Sequence, residues 1–139
     1  MTILSSIKTY IKTYTGVANK PVWVDFLGPQ PIEFSIVPLP GPRILETYII
    51  GGSKRQFTFA FQSVQSTADE LTRLETSGFF EAFADWLESQ TQTGTLPTLA
   101  AGKFATLIEA QSWAYLFEQG VSDTGIYQVN CRLEYQQDP

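Results

Sequence analysis

Near the N-terminus, the hydrophobic positions have the spacing of a helix. Apolar side chains recur every three or four residues from Ile3 to Tyr14, with serine, threonine and lysine between them. This period predicts an amphipathic helix with one wide apolar stripe. Gly16 follows the last apolar position, and we expect it to end the helix in the left-handed conformation, which glycine adopts without strain.

Further along the chain, apolar and polar residues alternate, which predicts β-strands. The clearest cases are the run of Phe57, Phe59 and Phe61 and the run from Tyr127 to Tyr135. Three phenylalanines on one face of a strand are expected to point into the core. In all, the pattern predicts strands over 22–27, 34–37, 44–50, 57–64, 113–117 and 127–135, with turns at 28–31, 51–55 and 122–125.

A second helix is predicted in the middle of the chain. Thr67 and Glu70 fit a capping box, in which each side chain satisfies a free backbone N–H group of the first turn. Apolar residues continue at helical spacing as far as Leu87, and Ser77-Gly78 predicts a kink. The segment 90–102 is uncharged and rich in threonine, so we expect a mobile loop or a partner-binding arm whose removal leaves the fold intact.

Together these elements predict a single domain over residues 1–139. Its class is α+β, with a mixed, mainly antiparallel β-sheet with long hairpins, flanked by an N-terminal helix and a central kinked helix. A length of 139 residues is typical of one hydrophobic core. Hydrophobic residues make up 43% of the chain and charged residues only 17%, which suggests that a partner covers part of the apolar surface.

The charge distribution disfavours nucleic acid as the main partner. The net charge is −5, and the nine basic residues are spread along the chain. Lys8 and Lys12 stand one helical turn apart and form at most a small local patch. The single cysteine and the absence of a signal-peptide pattern favour a reducing, aqueous compartment. No apolar run reaches the roughly 20 residues that span a bilayer, so we expect no membrane partner.

The sequence contains no recognisable catalytic, cofactor or metal site, and we expect that the protein is not an enzyme. Without histidine, Ser-His-Asp and Cys-His triads are excluded. Cys131 falls on the apolar face of a predicted strand and is interpreted as a buried, inert thiol. Glu81, Asp85 and Glu88 share a helical face, either as a carboxylate site for magnesium or calcium or, more simply, as a solvated surface.

Several segments spread over nearly the whole chain carry a family resemblance. They are residues 10–14, 22–25, 59–63, 67–70, 78–87, 115–120 and 122–129. In these segments the sequence resembles the minor capsid or tail-joining proteins of long-tailed bacteriophages of Gram-positive bacteria. None of the segments is a chemical motif, so the resemblance indicates a lineage and not a reaction. The order of elements also looks like that of phage tail terminators and of related tail-tube and neck proteins.

The resemblance implies a virion structural protein at the head–tail junction, assembled in the cytoplasm of the host bacterium. A tail-terminator-like domain forms a ring, usually a hexamer, which caps the tail tube and joins it to the head. The implied partners are other copies of the chain, the tail tube protein and neck or connector proteins, while DNA only passes through the lumen. A head-completion or neck connector protein is the alternative within this class. From a different class, the alternative is a small-molecule-binding module with a cavity lined by Trp23, Trp86 and Trp113.

A closed ring is built from head-to-tail contacts, so each subunit needs two different adhesive surfaces. The predicted hairpin tip and the loop 90–102 are the segments expected to contact the tail tube or neighbouring subunits. The tip also holds the only adjacent pair of basic residues in the chain. The candidate contact residues are Gly51, Gly52, Ser53, Lys54, Arg55, Thr93, Thr95, Leu96 and Leu99.

Overall fold

A computed structural model describes residues 2–17, 20–24, 34–120 and 123–139 of the chain. Within these residues the fold is α+β, as the sequence predicts, with two α-helices and one mixed sheet of seven strands. In chain order the elements are α1 (Ile3–Ile11), a 3-10 turn (Thr15–Val17), β1 (Val22–Val24), β2 (Phe34–Pro38), β3 (Ile44–Thr47), β4 (Ser53–Ser66), α2 (Glu70–Thr93), β5 (Lys103–Ala110), β6 (Tyr115–Gln119) and β7 (Thr124–Gln137).

The centre of the sheet is a long antiparallel ladder between β4 and β7. It extends from Ser53 opposite Gln137 to Ser66 opposite Thr124. Along the outer edge of β4, β3 pairs with the first residues and β2 with later ones, and β1 lies parallel to β2. Along the outer edge of β7, β6 pairs with the first residues and β5 with later ones. Because β4 and β7 run in opposite directions, β3 and β6 lie at diagonally opposite corners of the sheet.

The hydrophobic core lies between one face of the sheet and the two helices. Phe59 and Phe61 on β4 are fully buried, and Val129, Cys131 and Leu133 on β7 are buried beside them. Residues of both helices belong to the same core cluster. The alternating patterns of β4 and β7 therefore face the core, and this prediction is confirmed.

The N-terminal helix is shorter than its apolar pattern predicts. It ends at Ile11, and the residue that caps it, Lys12, has the right-handed helical conformation. The prediction that Gly16 ends the helix in the left-handed conformation is wrong, since Gly16 lies within the 3-10 turn. Two rings lie close to it instead: a Cβ atom on Gly16 would be 2.6 Å from Cε2 of Tyr14 and 3.0 Å from Cε2 of Phe79, so a side chain there would require the Tyr14 ring to shift.

The central helix starts later than its predicted capping box. Its N-cap is Asp69, whose carboxylate accepts a hydrogen bond of 2.7 Å from the backbone N–H of Thr72. Thr67 lies before the helix, so the predicted Thr67 cap is wrong. The helix continues through Gly78 and ends at Gly94, whose φ of 76° is the left-handed conformation that glycine favours at this position.

We expect the Asp69 cap to make the thermal stability of the protein depend on pH. The hydrogen bond from Thr72 lowers the pKa of the Asp69 carboxyl below its ordinary value of 3.8. A depressed folded-state pKa stabilises the fold above pH 3.8, and this contribution is lost as the pH falls through the folded-state value. At neutral pH, Asp69→Ala should lower Tm by a few degrees, and the difference from the wild type should narrow in acid.

The control for this prediction is Asp69→Asn, which keeps an oxygen acceptor at the cap but does not titrate. Its Tm at neutral pH should lie nearer to the wild type than that of Asp69→Ala. Melting curves from circular dichroism over a pH series provide the measurement. Equal Tm values for the wild type and Asp69→Ala at neutral pH would contradict the capping role.

The strands differ from the sequence pattern in one missed strand and several boundaries, among them the start of β6 at Tyr115 and of β7 at Thr124, within the predicted turn 122–125. The pattern missed β5, because a register shift between Ala105 and Leu107 interrupts the alternation of this strand. It also placed the hairpin tip too late, since β4 already begins at Ser53 and the turn lies at 48–52. In that turn Gly51 and Gly52 have φ values of 95° and 83°. The predicted strand residues 25–27, the predicted turn 28–31 and the first residue of the predicted turn 122–125 lie outside the described residues.

Candidate interaction surfaces

Large hydrophobic side chains are exposed at the sheet corner that contains β3. Ile44 and Leu45 lie on the strand itself, and Ile49 and Ile50 are fully exposed in the following turn. We call these four residues the hairpin patch. The reversal of the chain at Gly51 and Gly52 projects the two turn residues beyond the end of the β4–β7 ladder, where no strand of the described chain pairs with them. Clustered exposed apolar side chains of this kind are typical of binding surfaces.

A second apolar surface lies at the diagonally opposite corner. Here the first turns of α2 adjoin β6: the N–H of Thr67 donates to the carbonyl oxygen of Asp123 at 2.7 Å, and Leu116 and Thr67 both approach Gly125. On α2, two leucines spaced for one helical face are 68% and 62% exposed, and two apolar side chains of β6 are exposed nearby. We call these four residues the helix-end patch: Leu71, Leu74, Leu116 and Phe117.

The two corners differ in charge. Around the hairpin patch stand the cations Arg43, Lys54 and Arg55 and the anions Glu46 and Asp138, the latter next to Pro139, which packs against the Gly51-Gly52 turn. The Nζ atom of Lys54 lies 3.1 Å from a carboxylate oxygen of Glu134, and the two arginines are matched in number by Glu46 and Asp138, so this corner carries both signs of charge. Around the helix-end patch one cation stands among five exposed carboxylates: Arg73 with Asp69, Glu70, Glu75, Glu118 and Asp123.

The candidate contact residues of the hairpin have different surroundings. Gly51 and Gly52 lie in the turn, whereas Ser53 is buried at the start of β4. Lys54 and Arg55 belong to β4 and not to the tip, and Nε of Arg55 donates a hydrogen bond of 2.9 Å to the Ser53 hydroxyl. The most exposed residues of the turn are its two isoleucines, which the sequence reasoning missed. Two adjacent large apolar residues directly before a Gly-Gly turn are the signal that could have identified them.

The candidate contact residues near the end of α2 are partly built into the core. Thr93 and Thr95 are exposed, but Leu96 packs against the core and Leu99 is only 9% exposed. The hydroxyl of Tyr10 on α1 donates a hydrogen bond of 2.7 Å to the carbonyl oxygen of Thr95. These contacts argue against a detachable arm, and they leave the Leu99 side chain inaccessible to a partner in this conformation.

A groove of about 520 Å³ runs between α2 and β5, and it contains the acidic residues of the possible cation site on α2. Glu81, Asp85 and Glu88 line it together with the exposed Trp113. Within the described residues, no group of three or more acidic, cysteine or histidine side chains is arranged to hold a metal ion.

The three tryptophans do not line a common cavity. Trp113 stands at the groove beside α2, whereas the ring of Trp86 packs on Tyr10 and Tyr14, with ring centroids 5.2 and 4.9 Å apart. Trp23 lies on β1, at the other edge of the sheet. The cavity of the small-molecule alternative is therefore not formed by these residues.

The single thiol of the chain is withdrawn from solvent. Cys131 is fully buried on the core face of β7, as the alternation predicts, and burial raises the pKa of its thiol far above the ordinary value. A thiol that stays protonated at neutral pH is a poor nucleophile. Among the described helices, none combines the length and the apolar character needed to span a bilayer.

Comparison with known proteins identifies no family. No protein-family profile matches the chain, and no curated protein matches its sequence. Five chains of solved structures match it. One of them covers 97% of this chain and 91% of its own length, with 11% sequence identity and a TM-score of 0.49. A likeness of this degree indicates neither a family nor a function.

Proposed function

We propose that this protein is a structural component of a bacteriophage virion, and that it acts at the head–tail junction as a tail terminator. In this role several copies, six by the resemblance, form a ring that caps the tail tube and joins it to the head. The ring contacts the tail tube protein on one side and a neck or connector protein on the other, and DNA passes through its lumen. The proposal rests first on the resemblance of segments spread over nearly the whole chain.

The structural observation that supports the proposal is the pair of exposed apolar patches at opposite corners of the sheet. A subunit of a closed ring needs two different surfaces, because each copy contacts one neighbour with one surface and the next neighbour with the other. The hairpin patch and the helix-end patch are separated by the 14-residue β4–β7 ladder. At about 3.4 Å per residue, this ladder is roughly 45 Å long. The two patches can therefore serve two neighbours at the same time.

The first test is the solution mass, measured by light scattering during size exclusion over a range of concentrations. The proposal predicts a discrete species with about six times the subunit mass of 15.5 kDa. A ladder of indefinite, growing sizes would contradict a closed ring. Because a tail can act as the template for ring formation, a monomer at all concentrations must be followed by the same measurement with tail tubes added, and a protein that does not bind the tubes would overturn the proposal.

The second test distinguishes a terminator from a neck connector in a phage that carries the gene. A nonsense mutation should yield filled heads separated from tails, and the tails should be longer than normal because nothing caps the growing tube. Loss of a connector would also leave heads and tails separate, but with tails of normal length. Electron micrographs of the lysate provide the measurement, and the gene supplied on a plasmid is the control. Normal virions from the mutant would overturn both roles.

A further inference from the structure

We propose that the hairpin patch of one copy binds the helix-end patch of the next copy, and that this cross-pairing is the contact from which the assembly is built. The inference rests on the self-association in the proposed function and names the two surfaces that carry it. The occupant of each patch is thus a second copy of this chain.

The shapes of the two patches differ in a complementary way. Ile49 and Ile50 project from a tight turn beyond the end of the sheet, where they form a narrow apolar tip. The helix-end patch is broader, because Leu71 and Leu74 on α2 are exposed beside the apolar side chains of β6. A projecting tip of large apolar residues that inserts between two elements of a neighbour is the arrangement in which a few residues supply most of the binding energy.

The charges around the helix-end patch favour cross-pairing over contact between two helix-end patches. Arg43 and Arg55 beside the hairpin patch would meet the carboxylates that surround the helix-end patch, such as Glu70 and Glu118. Contact between two helix-end patches would instead bring together two sets of five carboxylates, whereas the hairpin corner carries charges of both signs. The like charges disfavour contact between two helix-end patches, which leaves the hairpin patch with its two arginines as the better partner for the helix-end patch.

The diagonal placement of the patches determines what the cross-pairing can build. In a contact of this type the growing assembly keeps one unused patch at each of its two ends, so addition continues until the chain of copies closes on itself. Contact between identical patches would stop at a dimer. Cross-pairing at diagonal corners therefore accounts for assemblies larger than two from a subunit that uses these two patches.

The test uses two double variants that each remove one patch. Ile49→Ser with Ile50→Ser disables the hairpin patch, and Leu71→Ser with Leu74→Ser disables the helix-end patch. All four side chains are exposed, so both proteins should fold. Each variant alone should require a concentration at least roughly tenfold higher than the wild type to assemble. Mixed together, the variants should form a 1:1 dimer and nothing larger, because only one intact pair of patches remains. Phe104→Ser, at an exposed apolar residue outside both patches, should assemble like the wild type.

Site-specific cross-linking extends the test to a wild-type chain that assembles only weakly. Ile50→Cys and Leu74→Cys proteins, mixed and treated with a short bismaleimide, should form mixed dimers far more readily than either forms dimers with itself. The buried Cys131 thiol should not compete. Predominant dimers of one variant with itself, or mixed dimers no more frequent than with Glu81→Cys in place of Leu74→Cys, would overturn the pairing.

The failure of this inference is distinguishable from failure of the proposed function. Rings that form normally from both double variants would overturn the cross-pairing and leave the ring proposal standing. A 1:1 complex of the two variants, together with normal virions from a phage that lacks the gene, would support the cross-pairing and overturn the role at the head–tail junction.

Discussion

Replacement of Phe61 by alanine is expected to reduce the free energy of unfolding by about 3–5 kcal/mol, the range for a fully buried phenylalanine. Phe61 is completely buried at the middle of β4, and its ring stacks on Phe34 of β2 and Phe83 of α2, with centroid distances of 5.3 and 4.4 Å. Its edge also meets Phe80, at 6.1 Å. One side chain thus joins two strands to the central helix, and the surrounding rigid rings cannot easily fill the cavity left by its removal.

Urea denaturation followed by circular dichroism measures this loss. Domains of this size are typically stable by about 5–15 kcal/mol, so the variant should unfold at a clearly lower urea concentration and can be partly unfolded without urea. The matched control is Phe104→Ala, at a phenylalanine that is 57% exposed on β5. The control should change stability by no more than about 0.5–1 kcal/mol. Equal losses for the two variants would contradict the central place of Phe61 in the core.

Introduction of a carboxylate at Leu99 is expected to reduce the free energy of unfolding by roughly 3 kcal/mol or more, through lost apolar packing and burial of an unpaired charge. Leu99 belongs to the core cluster, and the loop that carries it is tied to α1 through the hydrogen bond from Tyr10 to Thr95. The Leu99→Asp variant must therefore either bury the charge or detach the loop from the core, and both outcomes weaken the fold.

The neighbouring residue supplies the control for this prediction. Thr98 is exposed, so Thr98→Asp places the same charge on the same loop without entering the core. We expect its urea midpoint to stay close to that of the wild type, and limited proteolysis should cleave the loop of Leu99→Asp much faster than that of Thr98→Asp. Equal stability and equal cleavage of the two variants would mean that the loop is a free arm, as its composition alone predicts.

The candidate surfaces were only partly predictable from the sequence. The Gly-Gly turn correctly marked the hairpin, but the basic pair Lys54 and Arg55 drew the contact prediction away from Ile49 and Ile50. Ile49 and Ile50 follow a β-like run, so the pattern suggests that the strand continues through them. Whether a strand residue is exposed or buried depends on the elements that cover it. Those elements are distant in sequence, so the alternation of the run does not show where the strand ends, and the Gly-Gly pair directly after the isoleucines is the local signal for the turn.

Local pattern predicted the α+β class and the first helix. It also predicted the alternation that turns Phe59, Phe61 and the odd-numbered residues of β7 toward the core. These features are local because helix and strand periods are properties of adjacent residues. Long-range contacts settled the rest. Leu99 belongs to the core, and the loop that carries it is bonded to a tyrosine that lies 85 residues before Thr95. The diagonal corners exist because β4 pairs with β7, a partner far along the chain, and this pairing depends on which faces can be buried together.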